Sequence, residues 1–196
     1  MLADDLYFTA DTHFYHRAAA ELWRPFPDIE TMNEGIIEAW NDKVPADGII
    51  FHLGDVGFWP DRDTAFATLH RLSGQLHVVW GNHDDTLRKW HRQWGDETPI
   101  TKAYDIAYIK PRLTGGVKQA IMLAHYPMVT WRSAHHGAWH LHGHSHGSLD
   151  ESLLPAARRL DVGVDPMLFR PVDFWEVQAM MQDMGFKPVD HHTEKK

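Results

Sequence analysis

The chain has 196 residues, of which 43 % are apolar and 23 % are charged, as is typical of one folded domain. Its formal net charge of −8, with no block rich in lysine and arginine, argues against a domain built mainly to bind extended nucleic acid. The absence of cysteine excludes disulfide bonds and thiolate metal sites. With no cationic N-terminal stretch and no apolar run of membrane length, we expect a cytoplasmic protein without a membrane partner.

The first half of the chain predicts an alternation of buried strands and amphipathic helices. Short apolar runs that end in polar residues predict strands at residues 6–10, 48–55 and 75–80. Apolar residues at helical spacing predict helices around residues 32–40, 65–72 and 87–94. Because the carboxyl ends of parallel strands meet at one edge of a sheet, the polar residues that follow them should be neighbours.

The second half predicts a hairpin, two more strands and a last helix. The predicted strands are residues 103–110, 117–124, 138–141 and 158–164, with the hairpin turn at residues 113–116. Asp173 is predicted to cap the last helix, with Glu176 three residues later. The whole pattern predicts an α/β fold in which two packed mixed β-sheets are flanked by helices. We expect one domain over residues 1–186 and a polar C-terminal tail over residues 187–196.

Carboxylate, amide and imidazole side chains follow several of the predicted strands. They are Asp11 and His13, Asp55, Asn82 and His83, His125, and His144 and His146. An Asp at the end of a buried strand is unfavourable unless it is paired, hydrogen-bonded or bound to a cation. Glycines occur at the same turns, where the backbone passes close to another group. Together these features predict a metal centre in which Asp55 bridges two ions.

These blocks resemble the sequence pattern of the calcineurin-like metallophosphoesterase superfamily, which is Asp-x-His, Gly-Asp, Gly-Asn-His-Asp/Glu, a lone His, and Gly-His-x-His. The chain has every block in that order: Asp11-Thr12-His13, Gly54-Asp55, Gly81-Asn82-His83-Asp84, His125, and Gly143-His144-Ser145-His146. Through Arg24-Pro25-Phe26 and Leu141-His142-Gly143-His144 it further resembles the compact bacterial and phage branch. The resemblance extends from residue 6 to about residue 165 and implies an αββα sandwich.

The resemblance also implies two divalent transition-metal ions, with Mn favoured and Fe, Zn, Co or Ni as alternatives. Asp11, His13, Asp55 and His146 would hold one ion, and Asp55, Asn82, His125 and His144 the other. It implies hydrolysis of a phosphoric mono- or diester by a metal-bridging hydroxide, with His83 as general acid and with Asp55 and Asn82 as part of the catalytic centre. Carboxylate, amide and imidazole ligands suit such ions on chemical grounds as well.

Several other residues allow two interpretations. His16 is predicted to contact the substrate or to lie in a solvated loop, together with Arg17, and Arg24 to contact the substrate or to be structural. Asp84 or Asp85 would either assist His83 or cap the helix that begins there. The aromatic residue expected to face the substrate is Trp59, whereas the histidines expected to be packed are His52 and His142.

The substrate is expected to be a small phosphoester or a nucleotide-like molecule. The protein Ser/Thr phosphatases of the superfamily have an Asp-Arg pair soon after Gly-Asp, and the run from Gly54 to Pro60 lacks it. A protein phosphatase is therefore not expected. The alternatives are a nuclease that acts on nucleic-acid ends and a non-catalytic metal-binding scaffold of the same fold. The complete set of predicted ligands favours an enzyme over a scaffold.

Overall fold

The computed structural model describes residues 1–185 and 187. These residues contain nine strands and five α-helices. The strands are β1 (Leu6–Thr9), β2 (Ile49–His52), β3 (Gln75–Val79), β4 (Ile100–Tyr104), β5 (Ala107–Ile109), β6 (Ile121–Leu123), β7 (Trp139–His142), β8 (Arg159–Asp161) and β9 (Val172–Asp173). The helices are α1 (Arg17–Leu22), α2 (Ile29–Lys43), α3 (Arg62–Leu69), α4 (Asp85–Trp94) and α5 (Phe174–Gln182). The predicted tail, apart from Lys187, lies outside the described residues, so its boundary stays a prediction.

The strands form two mixed sheets. The first has the order β4-β3-β2-β1-β9, in which β1 to β4 are parallel and β9 runs antiparallel to β1. The second has the order β5-β6-β7-β8, in which β5 is antiparallel to β6 and the other neighbours are parallel. The predicted α/β fold, with two packed mixed sheets flanked by helices, is therefore confirmed.

The alternation of side chains along each strand divides the core into layers. In β2, Phe51 lies in the cluster between the two sheets, together with Leu123 and Leu141 of the second sheet. Its neighbour Ile50 points to the other face and packs in the cluster beneath the helices, which includes Trp40 of α2. All five side chains are fully buried, and burial of each contributes about 1.5–3 kcal/mol to folding.

The helices begin at residues that suit helix N-termini. The Asp28 side chain accepts a hydrogen bond from Thr31 at the start of α2, and Asp173 forms the predicted reciprocal capping box with Glu176 at the start of α5. The six-residue helix α1 was not predicted, because it is too short to show an apolar period. Every described helix is too short or too polar to cross a lipid bilayer.

The chain passes from the first sheet to the second between Tyr104 and Ala107. The strand predicted at residues 103–110 is therefore wrong as a single element: β4 pairs with β3, whereas β5 pairs with β6. Both segments are rich in β-forming residues, so the sequence shows no interruption there. The two-residue strand β9 was also not predicted, since it is too short to show an alternating pattern.

His140 in β7 makes folding stability depend on pH. Its side chain is buried, with Nδ1 3.2 Å from the carbonyl oxygen of Met122 and with Nε2 accepting from the Met128 N–H at 3.1 Å. Burial lowers the pKa of His140 to about 3. The unfolded chain therefore binds a proton below about pH 6.5 that the folded state excludes, and stability falls as the pH drops from about 6.5 toward about 3.

His140→Gln is expected to make this acid-induced loss shallower, by at most about 1.4 kcal/mol per pH unit. Urea unfolding of the metal-free protein between about pH 7 and about pH 4 measures the effect. The exposed His70 provides the control, since His70→Gln should leave the slope nearly unchanged. Equal slopes for wild-type protein and His140→Gln would show that this histidine does not exclude a proton on folding.

Candidate metal centre

The polar residues that follow the strands converge where the carboxyl edges of the two sheets meet. Two groups of potential ligands form there: Asp11, His13 and His146, called the first ion group below, and Asp55, His125 and His144, called the second ion group. Within each group, one ligand atom from each residue lies within 4.8 Å of the others. Six of the seven predicted ligands are thus brought together from both sheets.

Asp55 lies between the two ion groups. Its Oδ2 is 3.8 Å from His13 Nε2 in the first group and 3.5 Å from His125 Nε2 in the second. Its Oδ1 accepts a hydrogen bond of 2.9 Å from the backbone N–H of His83. The two imidazole contacts are longer than ordinary hydrogen bonds, as expected for ligands that surround a cation. The geometry therefore suits a carboxylate that two ions share.

Asn82, the seventh predicted ligand, adjoins the second ion group. His125 donates from Nδ1 to the carbonyl oxygen of Leu53 at 2.8 Å, and burial lowers the pKa of His125, which favours the neutral ring. The lone pair is then on Nε2, which faces Asn82 Oδ1 at 2.9 Å. A cation bound by both atoms would stabilise this pair of acceptors.

The first ion group contains buried polar atoms without a hydrogen-bond partner among the described residues. These atoms are Asp11 Oδ1 and both ring nitrogens of His13. Burial raises the pKa of Asp11 to about 8 and lowers the pKa of His13 to about 2. Unsatisfied buried groups of this kind are unfavourable, and a divalent cation would offset that cost by binding the ionised carboxylate and the neutral imidazole. The residues therefore fit the implied metal.

Two glycines of the sequence motifs let the loops lie against the carboxylates. A Cβ atom at Gly81 would collide with Asp55 Oδ1, and one at Gly143 would collide with Asp11 Oδ2. The backbone N–H that follows Gly143, that of His144, donates to Asp11 Oδ2 at 2.9 Å. The absence of a side chain at these positions is what permits such close approach.

Five of the seven predicted ligands have a left-handed backbone. Their φ angles are 55° at Asp11, 49° at His13, 58° at Asp55, 68° at His144 and 48° at His146. This conformation is rare for residues other than glycine, and costs on the order of 1–3 kcal/mol at each position. Strain of this kind concentrates at functional sites, where the surrounding hydrogen bonds hold it in place.

Asp84 does not cap the helix through its side chain, which corrects the capping role predicted for it. It lies at the N-cap position of α4, but its side chain makes no capping hydrogen bond. Instead its buried carboxylate accepts from the backbone N–H groups of Gly81, Asp55 and Val56 at 2.8–2.9 Å. Burial raises the pKa of Asp84 to about 6. Asp84 thereby ties the loop of Asp55 to the loop of Asn82.

Arg24 is buried, which contradicts the substrate contact predicted for it. Its side chain has no solvent exposure and forms an ion pair with Asp165. The guanidinium also donates to the backbone carbonyl oxygens of Asp11 and Thr12. The buried position and the full set of internal partners support the structural alternative. Arg17 is exposed and pairs with Glu21, four residues later.

His16 lies beside the first ion group, and its predicted contact with substrate stays a prediction. Its ring stacks on that of Phe58 at 4.0 Å and lies 5.4 Å from the ring of His13. Phe58, rather than the predicted Trp59, is the aromatic residue at the site, because Trp59 packs against Phe14 and Tyr15. Burial lowers the pKa of His16, which favours a neutral ring.

His83 lies at the rim of the centre and belongs to neither ion group. Its side chain is 46 % exposed, and its Nε2 is 4.0 Å from Asp55 Oδ2. The ring lies 4.9 Å from that of Phe58.

The two histidines predicted to be packed, His52 and His142, are both buried. The His52 ring forms a hydrogen bond of 2.9 Å with the Thr12 hydroxyl.

Comparison with known proteins places the chain among uncharacterized relatives. No protein-family model matches it. The uncharacterized protein MJ1445 of Methanocaldococcus jannaschii is 30 % identical over 172 residues, which cover 85 % of each protein. The chain belongs to the MJ1445 family.

Relatives of this MJ1445-family protein also occur in phages. The gene 66 proteins of Mycobacterium phages D29 and L5 are 26 % and 25 % identical to it, and cover 92 % and 81 % of the chain. The matches extend over 97 % and 86 % of the two phage proteins. The crystal structure of AQ665 from Aquifex aeolicus, a protein of unknown function, superposes with a TM-score of 0.65 at 21 % identity. The superposition covers 89 % of this chain and 98 % of AQ665, so the two proteins share a fold.

Proposed function

We propose that the protein is a calcineurin-like metallophosphoesterase that hydrolyses a phosphoric mono- or diester at a centre of two divalent metal ions. The position of Asp55 is the main support. A single carboxylate oxygen of Asp55 faces His13 Nε2 of the first ion group and His125 Nε2 of the second. That arrangement suits a pair of ions with one shared ligand, and it coincides with the order of motifs in the sequence.

The proposed ligands divide between the two ions by position. Asp11, His13, Asp55 and His146 bind the first ion, and Asp55, Asn82, His125 and His144 bind the second. Mixed carboxylate, amide and imidazole ligands suit Mn²⁺, which we propose as the ion, and they also accept Fe, Zn, Co or Ni. None of these ligands is a thiolate, since the chain has no cysteine.

Bound ions of this kind supply Lewis acidity, an activated water and charge neutralisation for a phosphoryl group. The residues around them have separate tasks. Asp55 fixes the spacing of the two ligand sets, and the exposed His83 donates a proton to the leaving oxygen. His16, whose ring lies 5.4 Å from that of His13, contacts the substrate beside the first ion group.

The proposed substrate is a small or exposed phosphoester, including nucleotide-like molecules. Asn82, His83 and His144 are exposed, so the second ion group opens to solvent. The Asp-Arg pair of the protein phosphatases is missing from the loop after Asp55. A net charge of −8 also favours small substrates over extended nucleic acid.

Metal-free protein is expected to be inactive, and to gain about two ions per chain together with phosphoesterase activity when Mn²⁺ is added. Elemental analysis after desalting measures the stoichiometry. Turnover of p-nitrophenyl phosphate and of bis-p-nitrophenyl phosphate measures activity, and we expect hydrolysis of the diester. The same protein kept in chelator provides the control.

A stoichiometry near zero or near one would contradict the dinuclear centre. Two bound ions without turnover of either ester would favour the metal-binding scaffold. Monoester turnover with no diester turnover in Mn²⁺, Co²⁺ or Ni²⁺ would restrict the activity to monoesters.

A further inference from the structure

The buried guanidinium of Arg24 uses all five of its N–H groups. Nε and Nη2 donate to the two carboxylate oxygens of Asp165 at 2.9 and 2.8 Å. Nη2 also donates to the carbonyl oxygen of Asp11 at 2.6 Å, and Nη1 donates to that of Thr12 at 2.8 Å and contacts Met32 Sδ at 3.7 Å. A buried arginine is tolerated only with such complete pairing. The side chain is therefore held in one position.

Asp165 connects this arginine to a predicted metal ligand. Its Oδ2, which accepts from Arg24, also accepts from Nδ1 of His146 at 2.7 Å. When Nδ1 of the imidazole is the donor, the lone pair is on Nε2, and the hydrogen bond fixes the plane of the ring. His146 is 5.1 Å from His13 between ring centres, within the first ion group.

We propose that Asp165 and Arg24 are positioning residues that set the metal affinity of the first ion group alone. The inference rests on the two-ion centre proposed above. Asp165 orients the ring of His146, and Arg24 fixes both Asp165 and the backbone of Asp11, whose φ is 55°. The second ion group does not depend on Asp165 and Arg24, because Nδ1 of His125 donates to the backbone carbonyl oxygen of Leu53, directly after β2.

Asp165→Asn is expected to lower the Mn²⁺ affinity of one site by about 10–100-fold and to leave the other nearly unchanged. Asparagine has one carbonyl oxygen and no negative charge, so at least one of the three hydrogen bonds that Asp165 accepts is lost and the Nδ1–H of His146 no longer faces a charged acceptor. Calorimetric titration of the metal-free protein with Mn²⁺ measures both affinities without any need for turnover. If Asp165→Asn does not fold, Asp165→Glu is the second variant. It keeps the negative charge but displaces it, and it should weaken the same site.

Arg159 and Glu151 provide a matched control. Here too, a fully buried arginine side chain donates to a carboxylate through two guanidinium nitrogens. Arg159 Nη1 also donates to the backbone carbonyl oxygen of Met128. Neither residue belongs to an ion group. Glu151→Gln should therefore destabilise the fold, measured as a lower Tm, while both Mn²⁺ affinities stay at their wild-type values.

A double-mutant cycle shows whether Asp165 acts through His146. In a His146→Ala background, Asp165→Asn is expected to cause no further loss of affinity at the weakened site. The inference would be overturned, with the two-ion centre left intact, by any of three results. These are an equal loss of Mn²⁺ affinity in both backgrounds, equal weakening of both sites by Asp165→Asn, and unchanged affinities in Asp165→Asn. Wild-type protein that binds no Mn²⁺ would instead overturn the proposed function, and the inference with it.

Discussion

Replacement of Asp55 by asparagine is expected to weaken both metal sites at once and to abolish most of the activity. Asp55 Oδ2 faces imidazoles of both ion groups, so the change removes one negative charge from each. Loss of several kcal/mol of charge stabilisation corresponds to about 10³-fold or more in turnover. Elemental analysis should find less than about one ion per chain after desalting, compared with about two for the wild-type protein.

Two variants make the Asp55 result specific. Asp61→Asn changes the same residue type a few positions later, at the exposed N-cap of α3, and should retain both ions. His125→Ala should mainly weaken one site, because His125 belongs to the second ion group alone. Retention of both ions by Asp55→Asn would show that this carboxylate is not shared.

Replacement of His83 by alanine is expected to slow the hydrolysis of an alkyl or nucleoside ester by about 10²–10⁴-fold. The loss should be much smaller on a p-nitrophenyl ester, whose leaving group departs without a proton. Because His83 belongs to neither ion group, the variant should keep the metal content of the wild type. Turnover of both esters and elemental analysis test this prediction together.

His70→Ala is the control for His83, since it removes an exposed imidazole at the C-terminus of α3. It should leave both rates and the metal content unchanged. Equal losses on the two esters would instead assign His83 to substrate orientation or to support of Asn82. A lost ion in His83→Ala would remove the acid role as well.

The sequence indicated where the ligands would meet because each one follows a strand. Parallel strands share a carboxyl edge, so the order of strands and polar residues was enough to predict that Asp11, Asp55 and Asn82 would be neighbours. The same logic placed His125 after β6 and His144 after β7.

Residues that act through long-range contacts were beyond such reasoning. Asp165 and Arg24 are 141 positions apart, and no local pattern relates a buried arginine to a distant carboxylate. Asp84 looked like a helix cap because an Asp before a helix usually is one, whereas tertiary contacts with Gly81 and Asp55 give it another role. The left-handed ligand backbones could not be located from the sequence either, since most Asp and His residues have negative φ even though these types adopt the left-handed region more often than other non-glycine residues.

The contribution of ligands from both sheets has a consequence for biosynthesis. The hydrogen bond between His144 and Asp11 joins residues 133 positions apart. A nascent chain on the ribosome that ends before residue 144 contains Asp11 and Asp55 but lacks His144 and His146. Neither proposed ion site is then complete, and such a chain would be expected to bind metal more weakly than one that includes His144 and His146. In the proposed two-ion centre, tight binding of metal would therefore begin only after His144 and His146 have been synthesised.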